Sequence, residues 1–234
     1  MEATVTATER HKASPAGLAE SVFDIAYLTF DLVAAIVFAT QAQGRTVFWL
    51  LALLSLVLGA GDAFHLVPRV VRELRGTDEH TEARLGLGLQ VSSITMTAFY
   101  VILYHIWRTL FPQVEISPVV PAIVWVSALA RIAICLLPQN NWLHAEGNPR
   151  LSLLRNSIFA VTGIVMVALF LLSGDTGGHG LWRMAIAITI SFACYVPVTL
   201  WGHSNPKVGM LMIPKTCAYV WMVAMGLQLL GQLA

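Results

Sequence analysis

The chain has 234 residues, of which 57% are hydrophobic and only 12% charged, with a formal net charge of +1. A soluble domain carries about twice that charged fraction, so composition excludes an ordinary water-soluble globule. The near-zero net charge leaves no electrostatic footprint for nucleic acid.

The apolar residues come in long blocks, which reads as an all-α integral membrane protein in one domain. Residues 1–18 are polar and predict a short cytoplasmic tail without regular structure or cleavable leader. Seven spanning segments follow. The first covers about 20–42. The second, about 47–68, ends at Pro68 and the run Arg69, Arg72 and Arg75. A charged loop leads to the third, about 85–110. Pro112 and Pro118 bracket the next turn, and the fourth covers about 118–137, stopping at Pro138. The polar loop 138–150 precedes the fifth, about 151–173. A glycine-rich turn at 174–180 precedes the sixth, about 181–201. His203 to Lys207 turn the chain into the seventh, about 207–233. Cys135, Cys194 and Cys217 lie inside these blocks without CxxC spacing, so they are expected to pack as free thiols.

Basic residues set the orientation. Arg10, Lys12, Arg69, Arg72, Arg75, Arg84, Arg150, Arg155 and Lys207 share the side of the N-terminus, and only Arg45, Arg108 and Arg183 lie opposite. This predicts a seven transmembrane helix bundle with the N-terminus cytoplasmic and the C-terminus outside. Trp49, Trp107, Trp142, Trp182 and Trp201 near segment ends predict an interfacial belt.

Counting about 1.5 Å per residue places the intramembrane polar groups at one depth. Asp62 and His65, one turn apart, fall in the cytoplasmic half of the second segment. Gln90, Ser93 and Thr97 form a stripe in the third. Arg131 reaches the same half of the fourth, Arg155 and Asn156 open the fifth, and Tyr195 and His203 close the sixth. Lys215 lies about 12 Å into the seventh, with Tyr219 one turn deeper. The first segment adds Asp24, Tyr27 and Asp31. Intramembrane ionisable groups usually face the bundle interior and mark function. Three acids, Asp24, Asp31 and Asp62, match three bases, Arg131, Arg155 and Lys215. The expectation is therefore one shared polar cavity on the cytoplasmic side, its charges either paired or acting on a substrate.

Asp62 is the expected general acid or base, with His65 or His203 as proton partner. Lys215, Arg131 and Arg155 are the expected headgroup contacts, with Gln90, Ser93, Tyr195 and Tyr219 lining the site. Pro214 is expected to free a backbone carbonyl beside Lys215. A lysine in a seventh helix also fits a retinal pigment, but a lysine alone is a weak signal. Asp62, His65, His203 and His144 are chemically suited to zinc, but no HxxxH or HExxH pair occurs, so neither metal nor other cofactor is expected.

The run Gly61-Asp62-Ala-Phe-His-Leu-Val-Pro-Arg69, the glycines Gly86 and Gly88, Phe99-Tyr100, the Gly202-His203 turn and Tyr219 together resemble the YhhN/TMEM86 (lysoplasmalogenase-like) family of small multi-span membrane proteins. That resemblance implies hydrolysis of a membrane lipid or ether lysolipid, with Asp62 as the carried-over catalytic residue. The chain departs from the family pattern in having one span fewer and no acidic residue between Leu181 and Trp201. Seven-span zinc hydrolases of the ceramidase and adiponectin-receptor type fit the layout but need a final-helix HxxxH that is missing here. The leading expectation is thus a lipid hydrolase working through a cytoplasmic-side cavity. The alternative is a proton- or ligand-linked transporter or sensor of the same architecture.

Overall fold

The structure, a computed structural model, describes residues 14–144, 147–201 and 205–233. It is all-helical, with no strand among the described residues. Seven helices are long and apolar enough to cross a membrane. They are α1 (Pro15–Thr40), α2 (Thr46–Arg75), α3 (Thr81–Leu110), α4 (Val119–Leu136), α5 (Pro149–Ser173), α6 (Arg183–Trp201) and α7 (Met212–Leu233). Short 3-10 turns, Pro138–Asn140 and Pro206–Leu211, precede α5 and α7. Each helix packs on the next in sequence, and α1 closes on α7.

The helices present two kinds of surface. Phe38, Phe48, Leu54, Leu58, Phe99, Leu103, Trp107 and Phe170 fill the interior, each at most 1% exposed. Val22, Leu32, Ile36, Val126, Ile164 and Leu172 point outward, each more than half exposed. In water that outer face would be an aggregation surface, whereas in lipid it costs nothing. A wide apolar groove of about 630 Å³ runs between α4 and α5, lined by Val119, Ile123, Val126, Ile158 and Val161 among others.

Several expected boundaries move. Ser14 caps α1 by accepting a hydrogen bond from the Gly17 N–H (3.0 Å), so residues 15–18 are helical rather than tail. Helix α2 does not stop at Pro68. It continues to Arg75, because a proline deletes one helical hydrogen bond while Arg69, Arg72, Glu73, Leu74 and Arg75 beyond it are good helix formers. Glu73 on that extension accepts hydrogen bonds from the Ser14 N–H and hydroxyl, which ties it to the start of α1. Helix α3 likewise begins earlier than expected, at Thr81. Pro214 lies in the first turn of α7, which continues directly from the 3-10 turn Pro206–Leu211. Of the five belt tryptophans, Trp49, Trp182 and Trp201 are exposed. Trp107 is wholly buried and donates to the Leu169 carbonyl at 3.0 Å, and Trp142 folds into the 138–144 loop, donating to the Cys135 carbonyl.

Candidate functional site

The polar groups gather toward the end of the bundle where α1 begins, but in two clusters rather than one. The first belongs to α1, α2 and α7. Helix α1 carries Ser21, Asp24, Tyr27, Asp31, Ala34 and Phe38 on its buried face, the spacing of a single helical stripe. On α2, Gly59 and Gly61 let neighbours close in. A Cβ at Gly59 would stand 2.8 Å from the Asp31 Cβ, and one at Gly61 only 1.9 Å from the Thr95 hydroxyl of α3. The small pair before Asp62 thus brings α1 and α3 within reach of its carboxylate.

Each acid of this cluster has a different environment. Asp24 is 3% exposed and is gripped by Arg69, whose guanidinium donates at 2.7 and 3.0 Å from Nη2 and 3.2 Å from Nε. Arg69 also meets Glu20 at 3.0 Å. Asp62 accepts hydrogen bonds from two neutral hydroxyls, Tyr27 at 2.9 Å and Ser92 at 2.6 Å. Asp31, one turn beyond Tyr27 and completely buried, has no hydrogen-bond partner on either oxygen among the described residues. An ionised carboxylate left so would cost several kcal/mol.

Asp24, Asp62, His65, Arg69 and Lys215 line one small cavity of about 20 Å³. That volume suits a single water molecule. Lys215 makes no ion pair among the described residues. Its ammonium lies instead over the rings of Tyr195 (5.1 Å) and Tyr219 (5.5 Å). The His65 Nδ1 is buried without a hydrogen-bond partner among the described residues.

The second cluster belongs to α3 to α6. Arg131, 2% exposed, donates to the Ser93 carbonyl (2.8 Å) and the Thr97 hydroxyl (2.6 Å) and stacks 3.7 Å from the Phe159 ring centre. Arg155 donates to Asn140 Oδ1 (2.9 Å) and Ser152 Oγ (3.2 Å) and stacks on Trp142 at 4.4 Å. Neither arginine meets a carboxylate among the described residues. Gln90 donates to the Cys135 carbonyl (3.1 Å), and Tyr195 donates to Asn156 Oδ1 (2.8 Å). Arg155 and Asn156 line a larger cavity of about 400 Å³ together with Asn140, Trp142 and Asn148. Between the clusters stands an aromatic wall: the Tyr195 ring meets Phe159 at 6.1 Å on one side and Lys215 on the other.

The expected matching of three acids with three bases is therefore not the pairing that forms. Arg69, read from sequence as part of the basic run that ends the second span, lies inside α2 and is the counter-charge of Asp24. Ser92 rather than Ser93 faces Asp62, since adjacent residues on a helix diverge by about 100° and the buried stripe of α3 is Gly88, Ser92, Met96 and Phe99. The Ser93 hydroxyl turns to its own helix, donating to the Leu89 carbonyl. Of the expected site residues, Asp62, His65 and Lys215 meet at one cavity, with Tyr219 beneath Lys215. Arg131, Arg155, Gln90, Ser93 and Tyr195 belong to the other cluster. His203 lies outside the described residues. The described residues hold no group of three or more His, Cys, Asp or Glu side chains suited to a metal.

Compared with protein-family models, curated proteins and solved structures, the chain matches none of them.

Proposed function

We propose that this protein spans the membrane seven times, N-terminus in the cytoplasm and C-terminus outside, and that it is a proton-linked transporter whose exchangeable protons reside on Asp62 and Asp31. The excess of basic residues on the N-terminal side supports the orientation. One observation carries the function: the cluster buries three carboxylates beside one arginine and one lysine, and the deepest, Asp31, accepts no hydrogen bond on either oxygen among the described residues. A proton or an arriving cation must supply the missing neutralisation. Tyr27 joins the cavity to the interior, because its hydroxyl holds Asp62 while Asp31 follows one turn along the same face of α1. His65 and Lys215, on the cavity rim, are placed to exchange protons with a water there.

Reconstitution into vesicles containing a pH-sensitive dye tests this. Wild-type protein should dissipate an imposed pH gradient faster than protein-free vesicles, and Asp31→Asn and Asp62→Asn should abolish the difference. Equal rates for wild-type and empty vesicles would refute it.

One observation favours a second reading, the lipid hydrolase implied by the lysoplasmalogenase-like resemblance. Asp62, His65 and Lys215 surround space for one water, the arrangement a general acid–base hydrolysis needs. In that case Lys215 and Arg69, not Arg131 or Arg155, would meet the headgroup, and α1 and α7 would have to part to admit it. Incubation of purified protein with a lipid panel including ether lysolipids, read by mass spectrometry, separates the readings: product lost in Asp62→Asn supports hydrolysis.

A further inference from the structure

The polar stripe of α1 begins one turn before Asp24. Glu20, Asp24, Tyr27 and Asp31 stand at i, i+4, i+7 and i+11, which share one sector of the helix. Burial deepens along it. The Glu20 side chain is 42% exposed, Asp24 and Tyr27 are each 3% exposed, and Asp31 is fully enclosed. At about 1.5 Å per residue, the stripe leads about 16 Å from the partly exposed acid to the deepest one. Glu20 also lines the small cavity that Asp24, Asp62, His65, Arg69 and Lys215 share.

Arg69 serves two carboxylates at once, its Nη2 lying 3.0 Å from Glu20 Oε1 and 2.7 Å from Asp24 Oδ2. The buried Asp24 is already held by three hydrogen bonds from the guanidinium. Glu20 is not needed to neutralise Arg69, and a partly exposed ion pair adds little to stability. Its chemical effect is different: a proton can come and go on Glu20 while Arg69 stays paired with Asp24, so neither state strands a buried charge. The charged and titratable groups around it are Asp24 on its own helix, Asp62, His65, Arg69 and Glu73 from α2, and Lys215 from α7.

Resting on the proton-linked reading, we infer that Glu20 is the entry group of the pathway. It takes a proton from bulk solvent and passes it through the cavity to Asp62. The O–H bond on Glu20 breaks as one forms on Asp62, and Glu20 returns to a carboxylate beside Arg69. Arg69 is a positioning residue, holding Glu20 against the cavity.

Full-length protein in vesicles, under an imposed pH gradient and with varied amounts of a membrane-impermeant sulfonate buffer, tests this. Glu20→Gln should slow the flux several-fold when buffer is scarce. Raising the buffer should restore most of the wild-type rate, because mobile acid molecules replace the lost carboxyl. Glu20→Asp, which keeps a carboxyl, should follow wild type, and thermal unfolding of Glu20→Gln should match wild type. A wild-type rate for Glu20→Gln in scarce buffer, a loss that buffer does not restore, or an equal loss in Glu20→Asp would overturn the entry role and leave the proton-linked reading standing. Absence of flux in wild type would remove both.

Discussion

The two polar clusters solve the same problem in opposite ways. Around α1 and α2, acids are buried with a ladder of partners that thins with depth: an arginine for Asp24, two hydroxyls for Asp62, and no hydrogen bond from a described residue for Asp31. Around α3 to α6, Arg131 is buried and Arg155 half-buried without any described carboxylate, held by carbonyl, hydroxyl and amide oxygens and by aromatic faces. Guanidinium tolerates this because it is weakly hydrated and stacks well, while a carboxylate has no comparable neutral refuge. Equal numbers of opposite charges in a membrane segment therefore do not imply that they meet. Arg131 and Arg155 each keep neutral partners for their terminal nitrogens and leave only Nε without a hydrogen bond among the described residues, whereas Asp31 leaves both oxygens so.

The comparison breaks first at Arg69. Arg69→Gln leaves the Asp24 carboxylate buried and unpaired, and should lower stability in detergent by about 3 kcal/mol. Adding Asp24→Asn should restore most of the loss, as read by thermal unfolding of single and double variants. Arg131→Leu strands no counter-charge and should cost less, about 2 kcal/mol, for its hydrogen bonds and its stacking on Phe159. A larger loss at Arg131 than at Arg69 would contradict the distinction drawn here. Tyr27→Phe removes one donor to Asp62 and should cost about 1–2 kcal/mol, with a matching change in the pH dependence of vesicle proton flux.

The smallest effect lies outside the spans. The Thr81 hydroxyl, the His80 N–H and Arg84 hold the Asp78 carboxyl below the usual carboxylate range. A lowered folded value means that its contribution is complete above about pH 4 and fades as pH falls through that lower value. Hydrogen exchange at the start of α3 should accelerate only in that acid range, and Asp78→Ala should remove the pH dependence.

The seven helices were legible because each span is an apolar block long enough for the hydrocarbon core. So was the gathering of polar side chains toward one end, since rise per residue fixes depth. Partner choice was not, because it depends on the rotation of each helix about its own axis. Ser92 and Ser93 differ by one position and face different neighbours. The reach of Arg69 to Asp24 was hidden by reading Pro68 as a helix end, and the seating of Arg155 on Asn140 and Trp142 by reading 138–150 as a polar connector. Gly59 and Gly61 were the available signal for the α1–α2–α3 approach, as small residues beside a buried acid.

The central claim is that Asp31 carries a proton in the resting protein. Infrared difference spectroscopy of the carboxylic-acid carbonyl stretch, comparing wild type with Asp31→Asn at neutral pH in lipid, tests it most directly. The account predicts a protonated-carboxyl band in wild type that disappears in the variant, with the fold retained. An identical spectrum in both, or no such band in wild type, would contradict it.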